Sequence, residues 1–191
     1  MRNLFGQVDG TVNLDAARDD FAAKVWSQDG WMTGGTSLVI RRIAMNLDKW
    51  DRLDRSGREQ AMGRTLSNGA PLTGELETDA PDFDAKLSNG LNVIADFAHI
   101  RRARGDDASA GAQILRHPFN YSTGPANGSV SNAGLIFTSY QANPVTQFVP
   151  IQQRLDQLDL MNEWTTPIGS AVFAIPPGCA EGGYVGETLL D

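Results

Sequence analysis

Cysteine is nearly absent from this chain. Cys179 is the only one in 191 residues, so no intramolecular disulfide, CxxC redox pair or cysteine-built zinc site can form. Histidine is almost as scarce: His99 and His117 are the whole supply. That excludes HExxH sites and histidine-rich metal clusters. Metal chemistry must therefore rest on one or two imidazoles with carboxylates, or on a cofactor needing a single protein ligand. Basic residues are in deficit, 16 against 23 acidic ones for a net charge of −7. No cationic surplus exists to neutralise a phosphate backbone, which argues against nucleic acid as a partner. Long apolar runs are missing too. Leu38–Ile40 and Ala171–Ile175 fall far below the roughly 20 residues of a membrane span. The start, Met1-Arg2-Asn3-Leu4-Phe5-Gly6, has no long apolar core of the kind a signal peptide needs. A cytoplasmic location is the default expectation, or export if the chain derives from a longer precursor.

What is present is a globular composition, 41% hydrophobic and 20% charged, in a length that suits one domain and can bury about 70% of its unfolded surface. Thr36–Leu47 reads as a strand of β-branched and apolar residues. Asp48 is expected to cap a helix running to about Met62. Residues 66–92 are punctuated by Asn68-Gly69, Pro71, Gly74, Pro81 and Asn89-Gly90 and read as a long loop; its five carboxylates from Glu75 to Asp84 read as solvated. Ile114–Tyr121 and Gly134–Tyr140 read as strands, with a polar loop at Ser122–Asn132 between them. Phe148, Ile151, Leu155, Leu158 and Asn162 recur at helical spacing. Ser170–Ile175 reads as a last strand, stopped by Pro176-Pro177. Strand, helix, strand, strand, helix, strand is the order of a ferredoxin-like α+β fold, an antiparallel sheet with helices.

Single residues carry little chemistry. Gly6-x-x-Asp9-Gly10 is a turn by itself, a lone His99 suits a structural hydrogen bond, and Arg116 and Asp159 suit ordinary surface charges. Their combination is more specific. In order come Gly6-x-x-Asp9-Gly10-Thr11, Gly69-Ala70-Pro71-Leu72-Thr73-Gly74, His99-Ile100-Arg101, Ile114–Tyr121 around Arg116-His117-Pro118, Gly134-Leu135-Ile136-Phe137, Gln147–Leu155 and Gly169–Gly178. This series resembles the C-terminal half of the dye-decolourising peroxidases, over the whole chain.

The resemblance implies a b-type haem held in a ferredoxin-like domain of the dimeric α+β barrel type. It implies His99 as the axial iron ligand, within the motif that also carries Arg101. Asp9 matches the family's distal aspartate, Arg116 its distal arginine, and Leu135 and Phe137 its apolar distal lining. Asp159 is the expected acceptor for the other ring nitrogen of His99, with Asp156 and Glu163 as alternatives; His117 is the rival ligand. The partners implied are hydrogen peroxide and an aromatic or dye substrate, and either an oligomer or a separate N-terminal half-chain, because the family's first ferredoxin-like domain has no counterpart in residues 1–191. A haem-binding fragment without turnover is the alternative function. The chemistry is consistent with these residue types. Haem iron needs one imidazole donor, peroxide cleavage needs a carboxylate that can take and return a proton, and a guanidinium keeps its charge beside a departing oxygen. Electron delivery from a bulky substrate calls for an aromatic relay, for which Trp164 is singled out.

The sequence also departs from the family pattern. Arg102-Ala103-Arg104-Gly105 stands where Leu-Ala-Asn-Pro is common, and Pro118 removes a distal hydrogen bond two residues after Arg116.

Overall fold

In the computed structural model, residues 2–8, 12–17, 20–104, 112–125 and 131–190 are described. Four strands form one antiparallel sheet: β1 (Thr36–Met45), β2 (Leu115–Ser122), β3 (Ala133–Gln141) and β4 (Thr165–Ile175), in the order β2-β3-β1-β4. Two crossovers bridge it. The first carries α2 (Leu47–Trp50), α3 (Arg55–Met62) and α4 (His99–Arg104), and the second carries α5 (Phe148–Leu158). A short α1 (Phe21–Val25) precedes the sheet and α6 (Glu187–Leu190) follows it. Order and pairing are those expected of the ferredoxin-like fold.

Register decides which side chains share a face, because directly opposed residues of antiparallel strands point the same way. Arg116, Ser139 and Val39 form one row, Pro118, Phe137 and Arg41 the next, and Asn120, Leu135 and Ile43 a third. α5 covers this face: the Phe137 and Phe148 rings lie 6.4 Å apart, and Arg41 hydrogen-bonds Gln152. At the same side sits the main apolar cluster of Phe5, Met45, Trp50, Ala61, Met62, Met161 and Trp164, with Leu135 packed against it. The opposite face leaves Phe119 and Phe173 about half exposed (56% and 48%). Gly134 is a position where only glycine fits, since a Cβ would collide with the carbonyl oxygen of Ile43 on the neighbouring strand.

Three boundaries differ from the sequence reading, each for a local reason. The helix expected from Asp48 to Met62 is two helices. Asn46, not Asp48, caps α2 by accepting from the Lys49 amide, and Asp54 caps α3 by accepting from the Gly57 amide at 2.7 Å. Gly63 closes α3 at φ +83°, the left-handed conformation that ends helices. Asn162 is not part of the α5 face, because Asp159 turns the chain into a 3-10 turn at Leu160–Glu163. β4 begins five residues earlier than Ser170, and Pro167 is tolerated there because β4 is an edge strand. If the two-helix account is right, Asp54→Ala costs about 1 kcal/mol in urea unfolding, while Asp48→Ala costs much less. The reverse ranking would restore a single helix capped by Asp48.

Among the described residues no helix is long and apolar enough to cross a membrane, and no three His, Cys, Asp or Glu side chains group as a metal site.

Candidate haem site

His99 opens α4, directly after Ala98, which is fully buried. Its ring is one-third exposed, and its Nδ1 lies 2.6 Å from Oδ2 of Asp159, a carboxylate only 3% exposed. The other oxygen of Asp159 accepts from the Met161 amide at 2.9 Å. Asp159 is thus not the solvent-facing charge that it looks like singly. It terminates α5, caps the following turn and reaches the ring in the same conformation. Asp156 instead accepts from Gln152 at 2.6 Å, and Glu163 pairs with Lys49 at 2.7 Å, which lowers the Glu163 carboxyl below its ordinary value. Neither is placed at the ring.

The frame around this pair is cross-braced. Arg102 donates to the Arg154 carbonyl, while Arg154 donates to the carbonyls of Arg102 and Ala103 at 3.1 Å. These last-turn carbonyls have no acceptor role within so short a helix, and a guanidinium suits them. The Leu160 amide donates to Phe97 O just before α4. Helix α4 and the Asp159 turn are therefore fixed to each other from three directions. Arg154 falls within the Gln147–Leu155 stretch, but nothing in its spacing points to this task.

Arg101 is buried. Its guanidinium donates to the carbonyls of Ile94 and Phe83 and stacks over the Phe83 ring at 4.9 Å. In this structure it braces the long loop against α4. His117 points to the sheet face away from α5, with its ring edge-on to Tyr140 at 6.0 Å, so it is not brought to Asp159.

Arg116 stands on the α5-covered face with Leu135 and Phe137, both partly buried. Its main chain is clamped by Asn13, whose carboxamide accepts from Arg116 N at 2.9 Å and donates to Arg116 O at 2.8 Å. One guanidinium nitrogen donates to Val12 O at 2.9 Å. Asn13 is a residue that sequence reasoning missed. Asp9 lies outside the described residues, but the segment just after it is the one that grips Arg116. Arg64 was missed as well. Burial holds its guanidinium below the ordinary arginine value; Glu77 opposes that shift, whereas the like charges of Arg116 and Arg104 add to it.

Trp164 is in the core, 6% exposed and edge-on to Trp50 at 5.0 Å. It is not a surface aromatic, because the turn after Asp159 directs it into the Met45–Trp50 cluster. Among the described tryptophans and tyrosines, Trp26, Trp31 and Tyr184 are the exposed ones.

The family model for Dyp-type peroxidase, C-terminal, matches residues 1–180. A dye-decolorizing peroxidase of Thermobifida fusca is 38% identical over 197 residues, covering all of this chain and 45% of that protein. A deferrochelatase of Escherichia coli K12 is 33% identical over 196 residues, covering 98% of this chain and 46% of that protein. Among solved structures, the DyP-type peroxidase of Cellulomonas bogoriensis superimposes with a TM-score of 0.93 at 53% identity, over the whole chain and 53% of that protein. DtpA of Streptomyces lividans, described as an oxyferrous complex, gives 0.93 at 40% identity with the same coverage. The chain spans about half the length of these relatives. A match along nearly all of its residues, joined to the same fold at high identity, makes this chain a member of the Dyp-type peroxidase family, in that family's C-terminal region.

Proposed function

We propose that this chain is the haem-holding part of a peroxidase that reduces hydrogen peroxide and oxidises bulky phenols or dyes, with a b-type haem as cofactor. The observation that carries the reading is the His99–Asp159 pair, an imidazole whose Nδ1 is tied to a buried carboxylate. A metal-bound histidine usually donates its other ring N–H to a carboxylate in this way, which fixes the tautomer and raises ligand basicity. With Nδ1 so engaged, ligation falls to Nε2. Leu135 and Phe137, on the α5-covered face with Arg116, offer apolar surface to the porphyrin ring. The residues present fit the group.

When bound, the iron porphyrin supplies the redox electrons. The chain's own residues have separate tasks in this reading. His99 and Asp159 share a proton and so strengthen the donor nitrogen. Asp9 moves a proton from one peroxide oxygen to the other. Arg116 offsets the negative charge on the departing oxygen, and its fixed charge makes it suited to that at any working pH.

The half-exposed apolar sheet face favours a second reading, a haem-binding part that turns over only with another half-chain. The two are separated by haem reconstitution followed by peroxide and a phenol. A Soret band with phenol oxidation supports the first. A Soret band without peroxide reaction supports the second, and no band overturns both. Asp159→Asn, which keeps size but removes the charge, is expected to weaken haem affinity or peroxide reactivity 10- to 100-fold. Haem titration and stopped-flow absorbance would measure this, and unchanged values would detach Asp159 from the role.

A further inference from the structure

Ser139 has no place in the functions above. It is completely buried near the end of β3, an interior strand, and its hydroxyl oxygen has no hydrogen-bond partner among the described residues. Buried hydroxyls are nearly always bonded, so this one calls for an explanation. An alanine or valine would satisfy a central strand at no such cost.

Register supplies the context. Ser139 is the direct cross-strand partner of Arg116, on the same face, with the buried Val39 on its other side. Opposed residues have their Cβ atoms about 5 Å apart. The Arg116 guanidinium reaches to Val12 O rather than bonding the Ser139 hydroxyl directly, and a water is the ordinary bridge between two such groups. A second oxygen points the same way. Asn120 lies four residues along β2 on this face, and its Oδ1 is also buried without a partner among the described residues. The two oxygens flank the stretch occupied by Leu135 and Phe137.

We infer that Ser139 is a positioning residue: its hydroxyl holds a buried water that bonds the Arg116 side chain and sets where that cation points. The inference rests on the peroxidase reading only for its functional consequence, since the water site belongs to the fold itself.

The test uses the whole chain and Ser139→Ala, a change that a strand accommodates. Without haem, Ser139→Ala should lower the thermal midpoint, because a water and its bonds are lost. A hydroxyl buried dry would give an unchanged or higher midpoint, and that result overturns the inference. With haem loaded, affinity for fluoride, a small hydrogen-bond-accepting anion, should fall about fivefold, the worth of one ordinary hydrogen bond. Unchanged fluoride affinity also overturns it. If the unsubstituted chain gives no Soret band, the peroxidase reading fails instead, and the midpoint comparison still decides whether the water site exists.

Discussion

His99→Ala is expected to remove stable haem binding altogether. Reconstituted protein should pass through a desalting column without its Soret band, while far-ultraviolet circular dichroism stays that of the folded chain. The expectation is geometric. His117 is the only other histidine in the sequence, and it lies across the sheet, edge-on to Tyr140 and remote from the Asp159 turn. It cannot replace His99 without the sheet turning a strand over, because a one-residue slip moves every side chain of β2 to the other face. Loss of His99 also leaves the Asp159 carboxylate buried with one amide bond and no imidazole. A modest fall in stability should therefore accompany the loss of haem. Retained five-coordinate histidine ligation in the variant would transfer the ligand role to His117 and undo the arrangement proposed for Asp159. Adding imidazole from solution offers a further check, since a cavity left by the ring should admit it and restore part of the band.

Much of the fold was legible from local pattern. β1 and β3 are dense in β-branched and apolar residues because central strands are covered on at least one side. The 3-4-3 spacing from Phe148 to Leu158 marks the α5 stripe that lies on Phe137. What escaped was set by capping and by edges. Asn46, Asp48 and Asp54 are all capping types, and only the tertiary path selects the first and last. Thr165–Gly169 carries a proline and a glycine, which argue against a strand unless it is known to be an edge; its register against β1 shifts between Arg42 and Ile43. For the site, the partnership of His99 with Asp159 joins residues sixty positions apart, which no periodicity reports. The resemblance suggested it and left Asp156 and Glu163 open. Arg101 shows the converse. A motif position says nothing about whether a guanidinium faces a cofactor or a loop carbonyl, and here it faces Ile94 and Phe83. Asn13 and Arg154 were invisible for a related reason, because each acts through main-chain groups, which leave no compositional trace.

Arg116→Leu should lower the rate of reaction with hydrogen peroxide by about 10² or more while leaving haem content close to that of the unsubstituted chain. The side chain lies on the face bearing Leu135 and Phe137, and its backbone is held at both N and O by Asn13. Leucine keeps that backbone clamp and the apolar volume, and removes the cation and its bonds, the one to Val12 O among them. The variant therefore separates charge from scaffold. Removing it also relieves Arg64 of a like charge, and far-ultraviolet circular dichroism is expected to show the same folded chain. Asp9→Asn should slow the same step by a smaller factor, since an arginine and a water can share part of the proton movement. Arg116→Lys offers the sharper control. It keeps the charge but loses the planar fork, so it should recover only part of the rate, whereas complete recovery would mean that charge alone mattered. Stopped-flow mixing of each haem-loaded variant with excess peroxide measures all three. Equal rates in Arg116→Leu, Asp9→Asn and the unsubstituted chain would remove both residues from the proposed chemistry and leave the His99–Asp159 pair as a binding site alone.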